Sequence, residues 1–193
     1  MDRDGFSVNK CFTFTWSIEN FSYSWQKNGE CILSPVFIVD TMGKTKWRLK
    51  LYPKGYRKKT KSFISIYLAR ESASKELSYH FIKFDLSFLA ADGSVLVSED
   101  ITKNMFGVEK CWGTDGFVKH DEVLKIRKKD FLPENILTAR CRMWHYKATN
   151  WGHCFARTRT AVERRSFMWN IKQFSHFQES ICEIPQLQQI NPL

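Results

Sequence analysis

The chain has 193 residues, of which 43% are hydrophobic and 15% aromatic, and its formal net charge is +10. This core-forming composition excludes an intrinsically disordered chain and allows one well-buried domain with a smaller addition. Because no apolar run approaches the roughly 18 residues needed to cross a bilayer, and because the N-terminus is charged, we expect a protein of the cytosol or nucleus.

Two strands are predicted in the first forty residues. Residues 12–18 alternate between apolar side chains and Thr or Ser, which predicts a strand with Phe14 and Trp16 facing the core. Residues 31–39 form a second candidate, in which Pro35 indicates an edge or a bulge because proline donates no hydrogen bond to a ladder.

A central hairpin follows at residues 46–67. Residues 46–52 alternate between apolar and polar side chains, Pro53 and Gly55 end this strand, and residues 62–67 are rich in β-branched and aromatic residues. Nine Lys or Arg and no acid lie between Gly43 and Lys61, a basic run that is typical of a solvated loop but would also attract acidic partners or nucleic acid.

The remainder of the first domain shows short strands with little helix, which favours an antiparallel β-sandwich. In chain order the patterns predict a long strand at 79–89, a short strand at 94–98, apolar islands within a looped region at 106–112 and 117–118, a helical turn at 120–126 and a closing strand at 136–146.

The C-terminal part differs in character. Residues 148–163 are basic, rich in Thr and Arg and weakly periodic, which predicts a linker. Residues 167–175 repeat the Phe, Trp, Ile, Phe and Ser positions of residues 14–22, which indicates a domain-sized duplication. Because residues 164–193 are fewer than the ~40 that a domain needs without staples, we expect an incomplete start of a second copy.

Four motifs occur in a fixed order along the first domain. They are Phe14-x-Trp16-x-Ile18-x-Asn20-Phe21-Ser22, Lys46-Trp47-x-Leu49-x-Leu51-x-Pro53-x-Gly55, Ser65-Ile66-Tyr67-Leu68 and Trp112-Gly113-x-x-x-Phe117-Val118. Together they resemble the MATH domain (meprin and TRAF homology), most closely the version found in speckle-type POZ proteins. The resemblance covers residues 11–147 and implies an all-β, eight-stranded antiparallel sandwich.

The resemblance also implies a function. It is that of a non-catalytic adaptor that binds extended Ser/Thr-rich segments of substrate proteins in a shallow groove, for delivery to a cullin-RING ubiquitin ligase through a BTB/POZ domain. No BTB/POZ sequence occurs in these 193 residues, so ligase recruitment by that route is not expected of them. The implied groove residues are Tyr67, Phe84, Lys110 and Trp112, with Phe63 and Phe106 nearby.

Two implied groove positions depart from the family pattern. Asn104 stands where the family has a tyrosine, and Thr114 stands where it has a phenylalanine. Aromatic residues supply much of the energy at such sites, so we expect a shifted or weakened specificity.

Other functions remain open from the residues alone. A trimeric TRAF-like signalling scaffold is one, although no sustained heptad pattern is present. A basic nucleic-acid binder is another, although few stacking aromatics accompany the basic run. Cys141, His145, His153 and Cys154 have spacings that fit no ordinary zinc site, and Cys111 lacks a protease signature, so we expect free thiols and no metal, cofactor or catalysis.

Overall fold

A computed structural model of the chain describes residues 11–71, 79–107, 110–145 and 152–161. The predicted start of a second domain, 164–193, lies outside the described residues. No helix in the described part is long and apolar enough to span a membrane. The described strands are β1 (Phe12–Glu19), β2 (Ile32–Leu33), β3 (Phe37–Val39), β4 (Thr45–Tyr52), β5 (Phe63–Arg70), β6 (His80–Leu89), β7 (Val95–Phe106), β8 (Cys111–Lys119), β9 (Ile136–His145) and β10 (Gly152–Arg159).

The strands form two sheets with one core between them. The first sheet has the order β10-β1-β9-β6-β7 and is antiparallel except for the parallel pair of β1 and β10. The second has the order β2-β4-β5-β8, with β3 also paired to β4. This arrangement confirms the predicted β-sandwich, with ten described strands in place of the eight expected.

Aromatic rings from both sheets fill the core. Trp47 of β4 and Phe84 of β6 both lie against Phe106, with ring centroids 4.9 Å and 5.7 Å away. All three side chains are fully buried. Burial of each such ring contributes roughly 1.5–3 kcal/mol. The apolar side chains that alternate towards the core therefore hold the two sheets together.

Several predicted elements are confirmed and others are longer than expected. The candidate strand at 31–39 is divided into β2 and β3 around Pro35. The helical turn at 120–126 is present as Glu122–Ile126, followed by the short helix α1 (Lys128–Phe131). However, β7 extends to Phe106, and β8 occupies part of the predicted looped region, because pairing with β6 and β5 outweighs the weak local strand pattern.

The prediction of a linker at 148–163 is wrong for residues 152–159, which form β10. This strand pairs in register with all of β1, and its residues alternate between half-buried and exposed. Trp16 donates its indole N–H to the hydroxyl of Thr158 at 2.9 Å, and the amide of Thr160 donates to the carbonyl of Glu19 at 3.0 Å. The alternation of β10 was not recognised in the sequence because two of its outward positions are arginines. Arginine stems can lie along a sheet while their charges remain in water.

Two arginines of β10 share one carboxylate of β1. The Glu19 carboxylate lies 2.5 Å from Arg159 Nε and 3.0 Å from Arg157 Nη1. The hydrogen bond from Arg159 is the main cause that lowers the pKa of Glu19 below its ordinary value, and Arg157 adds to it. These contacts fix the register of β10 on β1.

A second ion pair lies on the outer face of the first sheet. Asp85 of β6 is almost fully buried, and its Oδ2 accepts a hydrogen bond from Arg142 Nε of β9 at 2.7 Å. Hydrogen bonding to Asp85 raises the pKa of Arg142 above its ordinary value. The other oxygen of Asp85, Oδ1, is buried with no hydrogen-bond partner, so the carboxylate depends on Arg142.

Replacing Arg142 with Ala should destabilise the domain markedly. The change leaves the buried Asp85 carboxylate without its partner, which should lower the free energy of unfolding by about 2 kcal/mol. Urea denaturation followed by tryptophan fluorescence measures this. Lys125→Ala, which removes an exposed pair with Asp121, is the matched control and should leave the transition unchanged; equal effects of the two variants would contradict the role of the buried pair.

Candidate functional site

The edges of the two sheets meet where β7 and β8 lie side by side. Each strand is the last in its sheet, and no described strand pairs with the outer edge of β8. Trp112 of β8 donates its indole N–H to the carbonyl of Met105 on β7 at 3.2 Å. Trp112 is 44% exposed and Met105 47% exposed. We call this surface, formed by Met105, Lys110, Trp112 and Thr114, the β7/β8 edge.

Glycine at position 113 determines how closely β8 approaches β5. Gly113 lies opposite Tyr67, and a Cβ at this position would fall 2.1 Å from the carbonyl oxygen of Ile66 and 2.9 Å from the Tyr67 ring. Such distances are far inside van der Waals contact. The absence of a side chain therefore allows the Tyr67 ring to lie beside β8.

Three tyrosines cluster on the outer face of the second sheet. The rings of Tyr52, Tyr56 and Tyr67 have centroid separations of 5.0, 5.7 and 5.5 Å. Tyr52 is buried, which raises the pKa of its phenol above the ordinary value, whereas Tyr56 is substantially exposed. The cluster gives this face an apolar patch with polar ends.

Polar contacts anchor the Tyr67 side of β8. The hydroxyl of Tyr67 donates to the carboxylate of Asp115, whose Oδ2 lies 3.3 Å from Arg57 Nε. Ser65 donates to the backbone carbonyl of Asp115 and accepts from the amide of Tyr56 at 3.1 Å. These contacts join β8 to the turn that carries the basic run.

The register places Tyr67 and Trp112 on opposite faces of the second sheet. Paired residues project to the same face. Tyr67 is paired with Gly113, whereas Trp112 is paired with Leu68, which is fully buried and faces the core. Trp112 therefore lies on the core-facing side of β8, at its open edge beside β7, and Tyr67 lies on the outer side.

Two of the eight predicted groove residues do not reach the surface, and the other six lie on β5, β7 or β8 or directly before β8. Phe84 and Phe106 have no exposed area. The expectation that they contact a partner directly is corrected by their burial, because each ring packs against the other beneath β7. They support the β7/β8 edge from inside.

The remaining predicted residues are distributed around β8. Lys110 precedes this strand and is exposed, and Thr114 is half-buried on it. Phe63 is half-buried on β5, opposite Lys119, and its Cδ1 would lie 3.6 Å from a Cβ at Gly116. Asn104 is on β7, opposite Ile82, and its side chain lies outside the described residues.

Sequence reasoning missed Met105, Asp115, Arg57 and Tyr56. Met105 and Asp115 adjoin residues of the recognised motif, but neighbourhood in sequence does not reveal a hydrogen bond or an ion pair across strands. The exposed Tyr56, next to a basic run, was the one signal available. Arg57 lies 5.7 Å from the centre of the Tyr56 ring, within reach of a cation–π contact.

The accessibility of the described cysteines differs, since Cys111 is exposed and Cys141 is buried. No group of three or more His, Cys, Asp or Glu side chains in this part of the chain is arranged to hold a metal ion. Cys141 is fully buried, and burial raises the pKa of its thiol well above the ordinary value. The five described cysteines are free.

The described fold is a two-sheet β-sandwich with an open edge at β8 and an exposed tryptophan on that strand, and an open edge is a surface to which an extended peptide can add as a strand. The family model of the MATH domain matches residues 13–143, more than half of the chain. The chain therefore belongs to the MATH domain family.

The solved structures agree with this fold. One similar structure is TRAF5 from Notothenia coriiceps, with a TM-score of 0.52 and 13% sequence identity, covering 68% of this chain and 72% of that chain. Identity at this level shows the shared fold. The family match and the fold together establish a MATH/TRAF-like domain, a protein-interaction module.

Replacing Gly113 with Ala should disturb the attachment of β8. Since the added methyl group meets backbone of β5, the strand must shift, and we expect the free energy of unfolding to fall by about 2 kcal/mol or more. Thermal denaturation measures this loss. Gly116→Ala, in the same strand, meets only ordinary van der Waals contacts and should melt close to the parent; similar losses for both variants would contradict the close-approach argument.

Proposed function

We propose that this chain is a non-catalytic adaptor module that binds an extended, Ser/Thr-rich segment of a partner protein along the β7/β8 edge. The main support for this proposal is that β8 presents an edge to which no described strand is paired, beside a tryptophan that is 44% exposed. An extended segment can add to such an edge through main-chain hydrogen bonds.

The two faces of β8 support this mode of binding. Successive side chains of an extended segment point to opposite faces. A segment added to β8 would place alternate side chains towards Trp112 and Thr114 on one face, and towards Tyr67 and Asp115 on the other. Anchors on opposite faces are therefore compatible with one strand-like ligand, although they do not form the floor of a single groove.

The polar side chains around β8 favour small hydroxyl residues in the partner. Lys110, Thr114 and Asp115 supply donors and acceptors within the reach of Ser or Thr hydroxyls. Phe84 and Phe106, which lie in the core, leave Trp112 and Tyr67 as the aromatic residues closest to the ligand. We infer a weaker aromatic component of binding than a groove lined by all four rings would have.

Replacing Trp112 with Ala should weaken binding of a Ser/Thr-rich peptide selected from a library by at least about tenfold, because an exposed aromatic anchor is lost. Isothermal titration calorimetry measures the affinity. Trp25→Ala removes a tryptophan that is 66% exposed and lies outside β7 and β8, and this variant should bind as the parent does. Unchanged affinity of the Trp112 variant, with its fold intact by circular dichroism, would remove the site from β8.

We further propose that the bound partner is delivered to a cullin-RING ubiquitin ligase when a BTB/POZ domain is joined to this module. A fusion of the chain to a BTB/POZ domain, incubated with a purified cullin ligase, should ubiquitylate a protein that carries the selected segment. The same fusion with Trp112→Ala should not. Ubiquitylation that is equal for the two fusions would separate delivery from the β7/β8 edge.

A further inference from the structure

β10 is the edge strand of the first sheet at the side opposite to β7, and no described strand pairs with its outer edge. Four strand spacings separate β10 from β7, about 19 Å at ~4.8 Å for each pair of strands. β10 also lies outside residues 13–143, the part that matches the family model. This edge is therefore separate in position from the β7/β8 edge, and it lies outside the part of the chain that the family model matches.

One face of β10 is apolar and basic. Its inward side chains, Cys154 and Ala156, pack against the core. The outward side chains are those of His153, Phe155, Arg157 and Arg159, and the Phe155 side chain is 75% exposed. An exposed phenylalanine between basic residues on an edge strand is an unusual feature, since edge strands are normally protected from pairing.

The charge on this edge is only partly balanced. Arg157 and Arg159, with side chains 70% and 72% exposed, share the single carboxylate of Glu19. β10 itself contains no acidic residue. Within the described part of the chain, two guanidinium groups therefore face one carboxylate here, and five N–H donors on each are more than this carboxylate can accept.

These features disfavour a second copy of this chain as the occupant. Antiparallel pairing of two β10 strands would bring arginines against arginines, Phe155 or His153, depending on the register, with no acidic residue on either strand to balance them. Like charges on directly opposed positions destabilise a ladder. The arginines therefore act against self-association through this edge.

We propose that the edge of β10 binds an extended acidic segment of a partner protein by antiparallel strand addition. An apolar side chain of the partner lies opposite Phe155, and carboxylates lie opposite Arg157 and Arg159. Antiparallel pairing is the more stable direction. The partner's pattern, read from its N-terminus, is acidic-x-acidic-x-apolar, with the intervening side chains on the other face.

A designed peptide tests the pattern directly. The probe is acetyl-Thr-Glu-Thr-Glu-Thr-Val-Thr-amide, added to the full ¹⁵N-labelled chain in an NMR titration. We expect amide shifts confined to β1 and β10 and to the contacts of Phe155. A peptide with Lys in place of both Glu residues should produce no such shifts.

Two further comparisons separate strand addition from attraction by charge alone. Phe155→Ala should weaken binding by about fivefold or more, whereas Tyr23→Ala, an exposed aromatic outside β10, should leave it unchanged. N-methylation of the peptide residues whose amides face β10 should abolish binding, whereas N-methylation of the intervening residues should spare it. Only every second amide of an added strand faces its neighbour.

Any one of several results would overturn the proposal. They are equal binding by the Phe155→Ala variant, equal loss with both N-methylated peptides, shifts on β8 instead of β10, and no shifts at all. Preference for an oligothymidylate over the acidic peptide would likewise overturn it and assign the edge to nucleic acid. The N-methylated peptides are tested on the unmodified chain, so this arm does not depend on the folding of a variant.

Discussion

The junction at Phe106 is the constraint on which the arrangement of the open edge depends. The ring of Phe106, at the end of β7, lies between Trp47 of the second sheet and Phe84 of the first. Its backbone carbonyl accepts a hydrogen bond at 3.2 Å from Arg70, which is itself buried at the end of β5. The next residue back, Met105, accepts from Trp112. The end of β7 is thereby tied to both sheets. The edges of β7 and β8 cannot separate without exposing a fully buried aromatic side chain, at a cost of roughly 1.5–3 kcal/mol.

The architecture could be predicted from the sequence where the alternation of apolar side chains is strict. In β1 and β9 the inward residues are those that the period of two selects, and both strands are where they were expected. The full length of β7 and all of β8 could not be predicted in the same way. Their sequences contain Lys, Asn and Gly, which are poor strand formers, and they are strands because β6 and β5 supply the hydrogen bonds. β10 was missed for a related reason: its pairing depends on Trp16 and Glu19 of β1, which are remote from β10 in sequence.

At the candidate site, the alternation of side chains and the family resemblance predict different positions for Phe84. The alternation within β6 places Phe84 on the same face as Ile82 and Leu86, which predicts the core, whereas the family resemblance implies a place in the groove. The structure follows the alternation, since Phe84 is fully buried. Trp112 has no comparable alternation around it: it is flanked by Gly113, and its paired neighbour Leu68 already fills the core side. Trp112 is on the core-facing side of β8 but at the open edge of the sheet. The core therefore does not enclose its ring, which remains at the surface beside Met105. Local periodicity was thus the better guide to burial, and the family motif was the better guide to the exposed tryptophan.

Two edge strands of the described part of the chain, β8 and β10, carry different side chains beside their open edges. At β8 the outer edge lies beside Trp112, Tyr67 and Asp115, which offer an anchor and hydrogen-bonding groups but little net charge, so in the proposed binding mode selectivity comes from the shape and polarity of alternate side chains. At β10 the unpaired backbone is accompanied by Arg157, Arg159 and Phe155, so selectivity comes from charge, and an edge of identical composition is repelled. Charge of one sign at an edge both prevents self-pairing and selects the opposite sign in a partner. The protection of β10 against aggregation and its proposed recognition of acidic segments are therefore consequences of the same two side chains.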